Sequence, residues 1–126
     1  MTVADTDVMI DFLAGIGPAV PRIAEELSRG VLCTTVVNRF ELLTGARNTR
    51  QEKQWLELLS AFTLLPLDEA SADKAASIRR GLDRTGNSIP MADCLIAGIV
   101  WCNGGELLTR NRRHFERVPD LLLASL

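Results

Sequence analysis

An α/β domain with a short, mostly parallel sheet of four to five strands flanked by helices is the fold class this 126-residue sequence predicts. Three observations carry the prediction. Short runs rich in β-branched residues alternate with longer stretches of helical periodicity. One late stretch, IPMADCLIAGIVWCNGG, is apolar nearly all round, the mark of a central buried helix. The polar residues Asp5, Thr34–Thr35 and Thr109–Asn111 all fall at predicted strand exits, the edge where open parallel sheets bind ligands.

The elements follow in order. TVAD is a short strand ending at Asp5. DVMIDFLAG, with Val8, Ile10, Phe12 and Leu13, reads as a short helix begun by an acid and stopped by Gly15. Pro18 opens a second helix that runs to about Ser28, with Val20, Ile23, Ala24 and Leu27 at helical spacing and Gly30 after it. VLCTTVV is a buried strand. It leads into a helix on which Val37, Phe40, Glu41 and Thr44 share one face. The next helix, over roughly residues 50–61, carries Trp55, Leu58 and Leu59, and FTLLPL is a third strand. Asp68 or Ser71 caps a helix bearing Ala72, Ala75, Ala76, Ile78 and Leu82, which RTGN breaks. Pro90 starts the apolar helix, and ELLTRN is a fourth strand with its exit loop. The length suits one domain over residues 1–126, large enough to bury a core, and no repeat or linker divides it.

Composition narrows the function classes. Apolar residues make up 47% and charged residues 24%, a globular rather than disordered balance. The net charge of −2 does not by itself point to nucleic acid, yet 12 of the 14 basic residues are arginine. Arg110, Arg112, Arg113 and Arg117 crowd one stretch, and arginine's planar fork suits phosphate. Cys33, Cys94 and Cys102 lie in or beside apolar segments without a Cys-x-x-Cys pair, which suggests reduced thiols in a cytoplasmic protein rather than a zinc set with the lone His114. The N-terminus lacks the basic flank and cleavage site of a signal peptide, and no apolar run reaches the length of a membrane span.

Acids placed where burial is expected carry the chemistry. Asp5 ends the first strand, Glu41 sits on an otherwise apolar helix, and Asp93 is the only charge between Arg84 and Glu106. Each has an ordinary explanation: Asp5 as a helix cap, Glu41 paired with Arg39 or Arg47, Asp93 as a first-turn acid favoured by the macrodipole. All three nonetheless map to one edge of the predicted sheet. Converging carboxylates repel unless a cation lies among them, and hard oxygen donors favour magnesium or manganese. Phosphoryl transfer is the reaction that needs such a cluster.

Four segments, VADTDVMIDFL, TTVVNRFELLTGA, IPMADCLIAGI and LLTRNRRHFERVPDLLL, then give the chain its resemblance to a known family. In this order and spacing the sequence resembles PIN-domain proteins, and specifically the VapC toxins of VapBC toxin–antitoxin modules. The resemblance implies a magnesium- or manganese-dependent endoribonuclease acting on structured RNA such as transfer or ribosomal RNA. It implies Asp5 and Asp93 as the principal metal ligands, with Glu41 completing the acidic cluster. The fourth family position, often acidic, is Asn111 here; an amide can accept a hydrogen bond or bind metal weakly but cannot act as a base. In the implied chemistry a water activated by the ion attacks phosphorus in line and the 3′-oxygen leaves opposite it. Thr6, Thr35 and Thr109 would position water or phosphate, and Arg110, Arg112 and Arg113 would touch RNA phosphates. His114 is assigned a structural or RNA-contact role, Asp7 that of the cap of the first helix or else an acid just behind the metal ligands, and Asp11 an ion pair with an arginine at the rim of the site. The family also implies a VapB-like antitoxin and a homodimer. An apolar groove between the helices over 18–28 and 50–61 would seat the antitoxin.

Two other readings compete. VADTDV also fits the Asp-x-Asp motif of haloacid-dehalogenase-type phosphatases, with Asp5 as nucleophile and Asp7 as acid/base; that chemistry needs a lysine near the strand ends, and only Lys53 and Lys74 exist. A PIN-like RNA-binding module with weak or no nuclease activity finds its support in Asn111.

Overall fold

The computed structural model describes residues 1–126. The elements are β1 (Thr2–Ala4), α1 (Thr6–Ala14), α2 (Ala19–Ser28), β2 (Leu32–Thr35), α3 (Val36–Thr44), α4 (Thr49–Leu59), β3 (Thr63–Leu65), α5 (Glu69–Arg84), α6 (Met91–Cys102), β4 (Glu106–Leu108), α7 (Arg112–Phe115) and β5 (Leu122–Leu123). All five strands are parallel in the order β3-β2-β1-β4-β5. The chain moves outward from β1 to β3 on one side, then crosses back to build β4 and β5 on the other. β1 is therefore the point where the winding reverses, and a crevice opens beyond its C-terminal end.

Both faces of this sheet are buried, and the period of two along each strand assigns the residues to them. Val3, Cys33 and Leu107 point into one apolar cluster with Ile78, Leu82, Ile96, Ile99 and Phe115. Their neighbours Ala4, Leu32 and Leu108 point into the other, with Met9, Ile23, Leu42, Trp55 and Leu58. The strands consequently read as short, mainly apolar runs, with polar residues at their ends.

Helix boundaries follow local chemistry. Asp68 caps α5 by accepting from the Ser71 N–H at 2.9 Å, and Gly15 closes α1 in the left-handed conformation, φ 72°. α5 and α6 pack so closely that a Cβ on Gly98 would stand 2.6 Å from the Ser71 carbonyl oxygen. No helix is long and apolar enough to cross a membrane.

Four expectations change. The buried residues of α3 are Asn38 and Leu42, not the face bearing Phe40, which is 69% exposed. Cys33 and Cys94 are buried, but Cys102 is exposed, because α6 leaves the core in its last turn. Ile23 of α2 and Trp55, Leu58 and Leu59 of α4 lie inside one shared cluster, so these apolar side chains belong to the core rather than lining an open groove. The segment after β4, read as an exit loop, forms the single turn α7 and then β5, anchored by the fully buried Phe115.

Candidate active site

Asp5 leaves β1 in an extended conformation and serves as the N-cap of α1, its Oδ1 accepting from the Thr6 N–H at 2.8 Å. The same oxygen accepts from the Asn38 amide at 2.8 Å, and Oδ2 accepts from the Thr109 hydroxyl at 2.7 Å. One carboxylate thus joins the ends of β1 and β4 to α3. Its pKa is nevertheless pushed up from 3.8 to about 6. Burial is the largest cause, and the charges of Asp7 and Asp93 add to it, against the lowering effect of the hydrogen bonds from Thr109 and Thr6.

Glu41 joins this group through Thr6, whose hydroxyl donates to Oε1 at 2.8 Å and accepts from Asn38 at 3.0 Å. Burial raises the Glu41 pKa, and the charges of Asp93 and Asp7 push in the same direction. Asp93, in the first turn of α6, meets His114 Nδ1 at 2.8 Å through Oδ2. Asn111 lies 2.8 Å from the same ring nitrogen and 3.5 Å from that Oδ2. Nδ1 donates to Asp93 in one tautomer and accepts from Asn111 in the other, so these contacts are alternatives.

The structure thus brings Asp5, Glu41, Asp93 and Asn111 to the expected sheet edge, with Thr6 and Thr109 between them. Thr35 is engaged differently from the expected water or phosphate contact: its hydroxyl donates to Asn38 Oδ1 at 2.7 Å and accepts from the Asn38 N–H at 3.1 Å, capping α3. Asp7 is not the cap of α1, since Asp5 holds that position. Its Oδ2 accepts from the Arg110 N–H at 3.1 Å, while Oδ1 is buried with no partner. Asp11 forms the expected ion pair at the rim, 2.6 Å from Arg110 Nε. Arg112 donates to the Ala124 carbonyl at 3.0 Å. Arg113 alone of the three expected RNA contacts is exposed and without a partner in the chain.

Two participants escaped sequence reasoning. Asn38 is fully buried and ties Asp5, Thr6 and Thr35 together. Its signal was a polar residue one turn before Glu41 on an apolar helix. The contact of His114 with Asp93 left no local signal, because it joins two elements distant in sequence.

The donor set suits a hard divalent cation. Asp5 is a desolvated carboxylate beside two like charges, and the bare Asp7 oxygen points to the same deficit of positive charge. No three acidic, histidine or cysteine side chains stand at ligating separation around one point. That spacing accords with magnesium's habit of taking one or two carboxylates and keeping water for its other positions. The phosphatase alternative lacks its lysine at the site: Lys74 stands over the Trp101 ring at 3.8 Å, on the α5–α6 side.

A model of the PIN domain matches residues 2–121. The chain belongs to the PIN-domain family. Among PIN proteins it is 32% identical to ribonuclease VapC10 of Mycobacterium tuberculosis strain H37Rv, over 96% of this chain and 90% of that one. It is equally identical, at 32%, to the tRNA(fMet)-specific endonuclease VapC of Shigella flexneri, over 93% and 91% of the two chains. Its fold matches VapBC2 from Rickettsia felis, solved bound to a promoter DNA fragment, with a TM-score of 0.88 at 18% identity, covering 99% and 98% of the chains. DNA-bound VapBC from Salmonella typhimurium matches with a TM-score of 0.82 at 25% identity, covering 98% and 96%. The PIN fold accounts for the convergence of the acids: β1, α3 and α6 each deliver one to the point where the winding reverses.

Proposed function

We propose that residues 1–126 act as one PIN domain and that the chain is an endoribonuclease toxin of a type II toxin–antitoxin pair, dependent on Mg2+ or Mn2+. The observation that carries this reading is the convergence of Asp5, Glu41 and Asp93 at one sheet edge, in a chain whose relatives are VapC ribonucleases. Asp5 and Asp93 are the carboxylates placed to hold the ion, with Glu41 beside them. When bound, the ion supplies charge neutralisation at the scissile phosphate and a lowered pKa for an attacking water.

The chain's own residues do the positioning. Asn38, the Thr6 N–H and the Thr109 hydroxyl fix both oxygens of Asp5 before any ligand arrives. The Thr6 hydroxyl aims Glu41, and His114 with Asn111 orients Asp93. Such preorganisation matters because phosphoryl transfer depends mainly on placement and electrostatics. Asn111 cannot take a proton as a base, so its part is to hold Asp93 and His114. Arg113 is free to meet the RNA backbone, whereas Arg110 and Arg112 are already held by Asp11 and the Ala124 carbonyl.

We assign structured RNA, transfer RNA in the first instance, as the substrate class, in line with the Shigella relative. We assign a VapB-type antitoxin as the partner, in line with VapBC of Salmonella typhimurium, and expect the chain to form a homodimer in the cytoplasm. The deciding experiment incubates purified protein with transfer RNA in Mg2+ and in excess EDTA, beside Asp93→Asn. Cleavage in Mg2+ alone, reduced at least about 100-fold by the substitution, is the expected result. Equal cleavage by both proteins would place the activity elsewhere, and binding without cleavage would favour an RNA-binding module.

A further inference from the structure

Resting on the ribonuclease reading above, we propose that Asp11 is a positioning residue of the site, acting through Arg110 on the connection from β4 to α7. Residues 109–111 make up that connection, between Leu108 and Arg112. Two of its three side chains meet the principal acids. Thr109 donates to Asp5 Oδ2 at 2.7 Å, and the Asn111 amide lies 2.8 Å from His114 Nδ1 and 3.5 Å from Asp93 Oδ2. The middle residue, Arg110, turns instead to α1.

The connection has little backbone support of its own. The Arg110 and Asn111 N–H groups reach no backbone carbonyl; the first donates to Asp7 Oδ2 at 3.1 Å and the second to the Thr109 hydroxyl at 2.9 Å. The Arg110 guanidinium then grips Asp11, with Nε 2.6 Å from Oδ2 and a second nitrogen 3.3 Å from Oδ1. Such a fork fixes orientation as well as separation, because two side-by-side contacts define a plane. Asp11 is buried and Arg110 half-exposed, so the acid is the fixed member and the arginine the one held. A buried carboxylate left without its cation is strongly unfavourable, which keeps the pair closed. Asp7 and Asp11 stand one turn apart on α1, the helix that Asp5 caps. One helix therefore carries Asp5 and holds, by the backbone and the side chain of Arg110, the loop whose Thr109 and Asn111 meet Asp5 and Asp93.

The test is steady-state cleavage of transfer RNA by the full chain in Mg2+, with amide hydrogen exchange followed by NMR on the same proteins. Asp11→Asn keeps the shape of the side chain but removes its charge and one acceptor of the fork. It is expected to lower kcat at least about 10-fold with KM within about 2-fold of the wild type. Arg110→Gln is expected to do the same, and the double variant to be no worse than either single one. In Asp11→Asn the Arg110 and Asn111 amides are expected to exchange at least about 10-fold faster, with those of α5 and α6 unchanged. Arg110→Lys, which keeps the charge but offers one point of contact, is expected to lie between wild type and Arg110→Gln, and stands in if Asp11→Asn does not fold. Wild-type kcat or wild-type exchange in the folded variants overturns the inference. So does a KM that rises in Arg110→Gln and falls in Asp11→Asn, which would make Arg110 an RNA contact restrained by Asp11. A wild type that cleaves no RNA overturns the ribonuclease reading instead, and the exchange rates then still decide whether Asp11 holds the loop.

Discussion

Asp5 shows how much one side chain is asked to do. It ends a strand, caps a helix, receives three hydrogen bonds and stays largely out of water. Because its folded-state pKa of about 6 lies above the ordinary 3.8, the folded, metal-free protein holds this proton more tightly than the unfolded chain does. The stabilising effect of the bound proton is full below 3.8 and is lost as pH rises through about 6. The shift is equivalent to about 3 kcal/mol. Asp5→Asn in EDTA is therefore expected to match the wild type near pH 4 and to be the more stable protein, by up to about 3 kcal/mol, above pH 7, while losing activity. Urea unfolding of both proteins across this range checks it; a difference that does not change with pH would overturn it. The identity of Asp5 as a key acid was legible from its place at the end of an apolar strand. The place of Asp7 was not, because capping geometry depends on where the helix starts, and Asp5 rather than Asp7 occupies that position.

The elements owe their boundaries to local signals and their faces to packing. Asp68, Gly15 and Pro90 mark helix ends that could be read directly. The face that α3 buries could not, since its apolar residues are spread around the helix and the sheet selects Asn38 and Leu42. The contact between α5 and α6 is similarly a tertiary matter, in which Gly98 lets the Ser71 carbonyl and Ala75 approach. Gly98→Ala is expected to destabilise the protein by about 1–3 kcal/mol through overpacking, although alanine is the better helix former. A lowered urea midpoint with unchanged m value would bear this out, and a raised midpoint would show that the two helices separate freely.

Across the whole molecule, net charge and site charge act in opposition. A chain of net charge −2 with a buried acidic cluster repels RNA in general, so binding depends on locally placed arginines. Of the four arginines after β4, Arg110, Arg112 and Arg117 are tied into the fold, leaving Arg113 as the free contact. Arg113→Ala is expected to weaken RNA binding and to reduce the slope of log K against log salt by about 1. Filter binding at several salt concentrations measures this; an unchanged slope would remove Arg113 from the interface. The sequence by itself determined the α/β class, the strand exits, the membership suggested by four ordered segments, and the three acids at one edge. The class, the exits and the acids follow from periodicity and from the cost of burying charge, both properties of short stretches of chain, whereas the membership rests on the resemblance of those segments to a known family. Only the tertiary structure decided which hydroxyls hold which carboxylates, that Asn38 and His114 join the site, and that one oxygen of Asp7 is left bare. Those outcomes depend on contacts between residues up to 104 positions apart, as between Asp5 and Thr109, which no local pattern encodes.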